Sequence, residues 1–129
     1  MGDASANGGT GDGGLLEVRE ERDGGVLTLT LEGELDLATA PKVREPLDVA
    51  IDAGTRRILV DMLGCGFIDS TGLGVLLHAA KRLEESGGAM ALICVDDQIK
   101  RLLELTMIDR TIPVFATREE ALAEISGTA

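Results

Sequence analysis

The chain predicts an α/β fold, with a mixed sheet of four to five strands and about four helices in the order β-β-α-β-α-β-α-β-α. Three observations carry that prediction. Two strand-like runs meet at Asp23-Gly24-Gly25, a strong hairpin signal. Beyond the hairpin, apolar runs of strand length alternate with segments of helical periodicity, which builds parallel pairs through helical crossovers. Ile58-Leu59-Val60 is continuously apolar, as a central strand covered on both faces requires.

The elements follow in order. Residues 1–14 are mostly Gly, Ser, Ala, Asn, Thr and Asp, and read as a disordered leader. The domain is expected over 15–126, with 127–129 as a tail. Leu15-Leu16-Glu17-Val18-Arg19-Glu20 opens it as an edge strand. In Val26 to Gly33, Leu27, Leu29 and Leu31 alternate with Thr28, Thr30 and Glu32, the period of a half-buried strand. Gly33 to Ala38 reads as a loop. Thr39 is the expected N-cap of the first helix, with Pro41 in its first turn. Ala40, Val43, Leu47, Ala50 and Ile51 fall on one face of that helix, and Gly54 ends it. Pro46 lies inside it, where a missing N–H predicts a kink.

Arg57 to Met62 is the next strand, followed by a glycine-rich turn through Gly64 and Gly66 that ends at Asp69-Ser70. The helix from Ser70 to about Glu85 gathers Leu73, Leu76, Leu77, Ala80 and Leu83 in one arc, and Gly87-Gly88 terminates it. Ala89 to Val95 is a further buried strand. Asp96-Asp97 caps a helix that aligns Ile99, Leu102, Leu103 and Thr106. Ile112-Pro113-Val114-Phe115 is a short strand, at an edge because Pro113 lacks a donor. Thr117-Arg118-Glu119-Glu120 is a capping box opening a last helix that buries Ala121, Leu122 and Ile125.

The bulk properties bound the function. With 129 residues, the chain can bury a working core, and with two Phe and no Tyr or Trp that core is aliphatic. A formal net charge of −11 argues against a nucleic-acid binder, which needs a Lys/Arg footprint. Cys65 and Cys94 have neither a pairing pattern nor zinc-like spacing, and read as small buried apolar residues in a reducing compartment. No apolar run approaches a membrane span and no signal segment opens the chain, so the cytoplasm is the expected location.

Catalytic motifs fail on the central turn. A Walker A loop needs Lys after its last Gly, and Phe67 follows Gly66. A dinucleotide fingerprint from Gly64 and Gly66 would need a third glycine where Asp69 stands. A nucleophile elbow around Ser70 needs Gly in place of Ile68. The one histidine, His78, lies two helical turns from Ser70, too far to serve as its base. Asp36, Asp61 and Asp69 have no metal-ligand spacing. No catalytic residue, metal or cofactor is therefore assigned. What remains is the Ser70 hydroxyl. One reading makes it a helix cap satisfying orphan N–H groups. The other makes it a phosphoacceptor, since Gly64, Gly66, Gly72 and Gly74 leave little bulk around the turn, and a helix start suits a phosphate.

Asp69-Ser70-Thr71-Gly72-Leu73-Gly74 resembles the Asp-Ser-(Ser/Thr)-Gly-Leu-Gly signature of bacterial anti-sigma factor antagonists, the STAS domain. Gly33-Glu34-Leu35-Asp36, followed by Thr39-Ala40, is similar to that family's second landmark. The resemblance spans roughly Leu15 to Ile125, with Pro46 as a departure. It implies a regulatory binding protein that is not an enzyme. In its unphosphorylated form such a protein binds an anti-sigma factor with serine kinase activity and frees a sigma factor. The kinase then phosphorylates the antagonist, and a serine phosphatase reverses the mark. By position the phosphoacceptor is Ser70, with Thr71 in the variable slot. Asp36, Asp69, Ser70, Thr71, Gly72, Leu73 and Gly74 form the expected partner-binding set, with Asp36 beside Ser70. Two other roles stand as alternatives. One is a STAS scaffold or regulatory subunit in a signalling assembly or transporter. The other is a nucleotide-binding module.

Overall fold

Asp23-Gly24-Gly25 closes a two-residue hairpin between β1 (Leu16–Asp23) and β2 (Val26–Leu35), with Asp23 opposite Val26. Gly24 and Gly25 have φ of +58° and +83°, the paired left-handed conformation of the turn that matches the natural twist of a hairpin. The computed structural model describes residues 15–126, so the expected leader over 1–14 and tail over 127–129 lie outside the described residues.

Four α-helices, a 3₁₀ turn and three strands follow the hairpin among the described residues. Helix α1 (Ala40–Asp52) leads to β3 (Arg57–Ile68), and α2 (Ser70–Glu85) leads to β4 (Ala89–Ile93). Then come α3 (Asp97–Leu105), a single 3₁₀ turn (Ile108–Arg110), β5 (Val114–Phe115) and α4 (Arg118–Ser126). The five strands lie in chain order β1-β2-β3-β4-β5. Only the first pair is antiparallel; β2, β3, β4 and β5 run parallel.

That order decides where the helices go. Each new parallel strand adds on the same side, so right-handed crossovers put every connecting helix on one face. Accordingly Leu27, Leu29, Ile58, Val60 and Leu92 pack with Val43 and Leu47 of α1, Leu76 and Leu83 of α2, and Ile99 and Leu103 of α3. Helix α4 follows the last strand and is free of that rule. It covers the opposite face, where Ala121 and Ile125 meet Val26, Leu59, Ala91 and Ile93. Strand β2 is thus more deeply buried than its alternation predicts, and Thr28 is only 1% exposed.

Several boundaries differ from expectation for local reasons. The Thr111 N–H closes the 3₁₀ turn on Ile108 O and the Ile112 N–H bonds the same oxygen, so β5 starts only at Val114. β4 stops at Ile93, because Asp96 turns to cap α3 through Ile99 N at 3.0 Å and Val95 is exposed. Helix α1 runs unbroken from Ala40 to Asp52 with Pro46 inside it. Its end is a Schellman closure: Thr55 N bonds Ala50 O, Gly54 N bonds Ile51 O, and Gly54 has φ +99°.

Candidate functional site

The stretch that reads as a glycine turn is mostly strand. β3 pairs with β4 only as far as Asp61, opposite Ile93, and then runs on beside β2 to Ile68. Two register shifts accompany this extension, between Thr30 and Glu32 and between Gly33 and Glu34 of β2. At each shift β3 carries one residue more than its partner, the mark of a bulge. Gly64 allows one of these close approaches, since a Cβ there would lie 2.9 Å from Glu32 Cγ and 3.3 Å from Leu31 O. The extension lifts Asp69 and the start of α2 to the carboxyl end of the parallel strands. In open α/β sheets that end is where functional groups gather.

Asp69, and not Ser70, caps α2. Its backbone is extended, at φ −112° and ψ −175°, and its Oδ1 accepts from Gly72 N at 3.0 Å. Its Oδ2 accepts from Leu37 N at 3.0 Å, and its own N–H donates to Leu35 O at 3.2 Å. One carboxylate therefore rivets the helix start to the β2–α1 loop. Ser70 falls at the first helical position, exposed, and its hydroxyl makes no hydrogen bond among the described residues.

Asp36 is committed within its own loop. Its Oδ1 accepts from Ala38 N and Thr39 N, each at 3.0 Å. The Thr39 hydroxyl donates to Glu34 O at 2.7 Å and accepts from Asp36 N at 2.9 Å. Thr39 is therefore a buried staple of the loop, and not the side-chain cap of α1 that its position predicts. The Asp36 loop reaches the α2 mouth through the bond from Leu37 N to Asp69.

The six-residue segment divides by direction. Ser70 and Gly74 are exposed, Asp69 and Thr71 half-buried, and Gly72 and Leu73 buried. Gly72 does not leave bare backbone for a visitor. A Cβ there would lie 2.7 Å from Leu35 Cγ and 2.9 Å from Leu35 O, so this glycine lets α2 press onto the end of β2. Leu73 belongs to the core. Neither presents a side chain to the surface.

The structure adds exposed apolar side chains that the sequence reading missed. Leu37 is 72% exposed and Phe67 46%. Both flank the α2 mouth: Leu37 N is held by Asp69, and Phe67 stands two residues before it. Strand alternation carried the signal, because Phe67 and Ile68 are neighbours on one strand and cannot both face the core.

The remaining titratable groups play other parts. Burial pushes the Cys65 and Cys94 thiols up from their ordinary value, and both are free. Arg82 bonds Asp52 at 2.6 Å and Asp48 at 3.2 Å, tying α2 to α1, and these pairings, Asp52 first, hold its guanidinium above its ordinary value. His78 is exposed on α2. Among the described residues no group of three or more His, Cys, Asp or Glu is placed to hold a metal ion, and no helix is long and apolar enough to cross a membrane.

A mixed five-stranded sheet of this order with four helices is a STAS-like fold. A match to the STAS domain spans residues 17–121, and this chain belongs to the STAS domain family. Among its relatives, the chain is 34% identical over 111 residues to the anti-sigma F factor antagonist of Paenibacillus polymyxa, covering 85% of this chain and 95% of that one. It is 34% identical over 99 residues to the anti-sigma-B factor antagonist of Listeria monocytogenes, covering 77% and 86%. Its fold is shared with the crystal structure of an anti-sigma factor antagonist from Mycobacterium paratuberculosis. There the TM-score is 0.80 at 22% identity, covering 87% of this chain and 95% of that one.

Proposed function

We propose that this chain is an anti-sigma factor antagonist controlled by phosphorylation of Ser70. Unphosphorylated, it binds an anti-sigma factor serine kinase through the surface around the α2 mouth, and the sigma factor is released. The kinase moves the γ-phosphoryl group of ATP to Ser70 Oγ; the P–O bond to the leaving ADP breaks and the hydroxyl proton passes to the kinase's base. A serine phosphatase hydrolyses the phosphoserine and restores the binding form. The names of the relatives support the partner class, and the site geometry supports the acceptor.

The observation that carries this reading is the division of labour between two adjacent residues. Asp69 makes the capping bonds, while the Ser70 hydroxyl is exposed and makes no hydrogen bond among the described residues. Ser70 can therefore be modified without breaking an internal contact. A phosphate adds roughly −1.5 to −2 charge at neutral pH. At a helix start the dipole favours that charge, so the fold tolerates it. Under a docked protein, beside the Asp69 carboxylate, the same charge is desolvated and repelled. Leaving such a charge unpaired in an interface costs roughly 2–5 kcal/mol, enough to release a partner. Leu37 and Phe67 supply apolar area for the bound state.

Incubation with the anti-sigma factor kinase of the same cell and ATP, followed by peptide mass spectrometry, tests the assignment. The expected result is one phosphate on Ser70 and none on Ser70→Ala, which still binds the kinase. Full labelling of Ser70→Ala would refute it.

A further inference from the structure

Beside Ser70, along the seam between α1 and α2, runs an open groove of about 200 Å³. Thr71, Gly74, Val75 and His78 line it from α2, and Arg44 and Asp48 from α1. Residues three and four apart share a helix face, so this wall begins at Ser70's neighbour and continues along the helix for two turns.

Three features separate the groove from an ordinary helix seam. The first is Gly74, which the fold does not require. Its φ is not positive, and apart from the helix's own backbone a Cβ there would meet nothing within 4 Å. Glycine inside a helix is a poorer helix former than alanine, so this position gives up helix stability and gains no packing. Gly72, two residues earlier, is the contrary case. The second feature is Arg44, an exposed cation with no ion pair or hydrogen bond among the described residues. Asp48, the one acid in the lining, is already held by Arg82 at 3.2 Å. The third is Thr71, half-buried, whose hydroxyl makes no hydrogen bond among the described residues. The groove thus offers a cation and a spare hydroxyl donor above an apolar floor.

We propose that this groove receives a carboxylate side chain, Glu or Asp, from the protein that docks over Ser70. Its methylene stem lies on Gly74 and Val75, and its carboxylate pairs with Arg44, whose planar fork suits a carboxylate. The chain carries a formal net charge of −11, so an acidic side chain is repelled by most of its surface and accepted here. Such a contact fixes the register of the complex as well as adding affinity. The inference rests on the Ser70 face being the docking face, and adds the α1 side of that face and the chemistry of the group it takes.

The test is titration calorimetry of the full chain against the anti-sigma factor kinase, without ATP. Gly74→Leu should unfold at or above the wild-type temperature yet bind about tenfold more weakly, because its side chain fills the groove. Arg44→Glu should bind at least about tenfold more weakly. Arg110→Glu, the same charge change on the 3₁₀ turn, should stay within about twofold of wild type. Among Glu→Arg and Asp→Arg variants of the kinase, one should restore the binding of Arg44→Glu. Wild-type affinity in both Gly74→Leu and Arg44→Glu would overturn the groove assignment while leaving Ser70 untouched. Equal losses in Arg44→Glu and Arg110→Glu would reduce it to net charge and overturn it as well. A wild-type chain that fails to bind the kinase would overturn this inference together with the proposed function.

Discussion

Helix α2 begins and ends beside a serine, and the two serines meet opposite conditions. At the C-terminal end the Ser86 hydroxyl donates back to Leu83 O at 3.0 Å, while its N–H closes on Leu83 O and Arg82 O. Gly87, at φ +83°, and Gly88 complete a Schellman closure on Glu84 O and Leu83 O. At the N-terminal end Asp69 does the closing, and the Ser70 hydroxyl is left over. Both serines are exposed, so exposure alone does not distinguish them. What does is whether the oxygen is already engaged, and which end of the dipole it faces. An added phosphate is favoured at the start of α2 and disfavoured at its end.

The comparison can be broken or sharpened in four ways. The largest effect is all-or-none: with kinase and ATP, Ser70→Ala should lose the phosphate that Ser86→Ala keeps, read by peptide mass spectrometry. Label on Ser86 in the wild type would break the contrast outright.

Next comes the packing beneath the free serine. Gly72→Ala should cost about 1–3 kcal/mol in urea denaturation, although alanine is the better helix former, because the new methyl meets a backbone carbonyl that cannot move aside. An unchanged midpoint would show that α2 can lift off β2 without loss.

The cap should matter less. Asp69→Ala should cost about 0.5–2 kcal/mol and expose the amides of Leu37 and Gly72 to faster hydrogen exchange. Faster exchange at only one of the two amides would show that the carboxylate does not hold both sides.

The smallest effect is the most direct measure of the dipole. Ser70→Asp should be neutral or stabilising, and Ser86→Asp destabilising, each by about 0.3–1 kcal/mol in thermal denaturation at low salt. Equal shifts in the two variants would remove the electrostatic part of the contrast.

How much of this was legible depended on the range of the interaction. The span of α2 was readable from Asp69-Ser70 and Gly87-Gly88, because caps and Schellman closures are made by neighbours in the chain. Which of the two residues capped was not, since either side chain can reach the same amides from its place in the sequence. The extension of β3 through Gly64 and Gly66 was hidden because its partner is the distant end of β2, and glycines that permit a close approach look the same in sequence as glycines that permit a turn. Thr39 shows the same limit, since its hydroxyl serves a loop carbonyl that only the folded loop brings within reach.

The sequence by itself determined the element order, the aliphatic core and the helix that begins at Ser70. Each follows from hydrophobic period and from short-range backbone chemistry. Only the tertiary structure decided that Asp69 holds the loop and leaves the serine free, and that Gly72 is filled by Leu35 while Gly74 stands open. Those outcomes depend on which strand lies beside which, and a side chain's neighbours across a sheet are set by the packing of the whole domain.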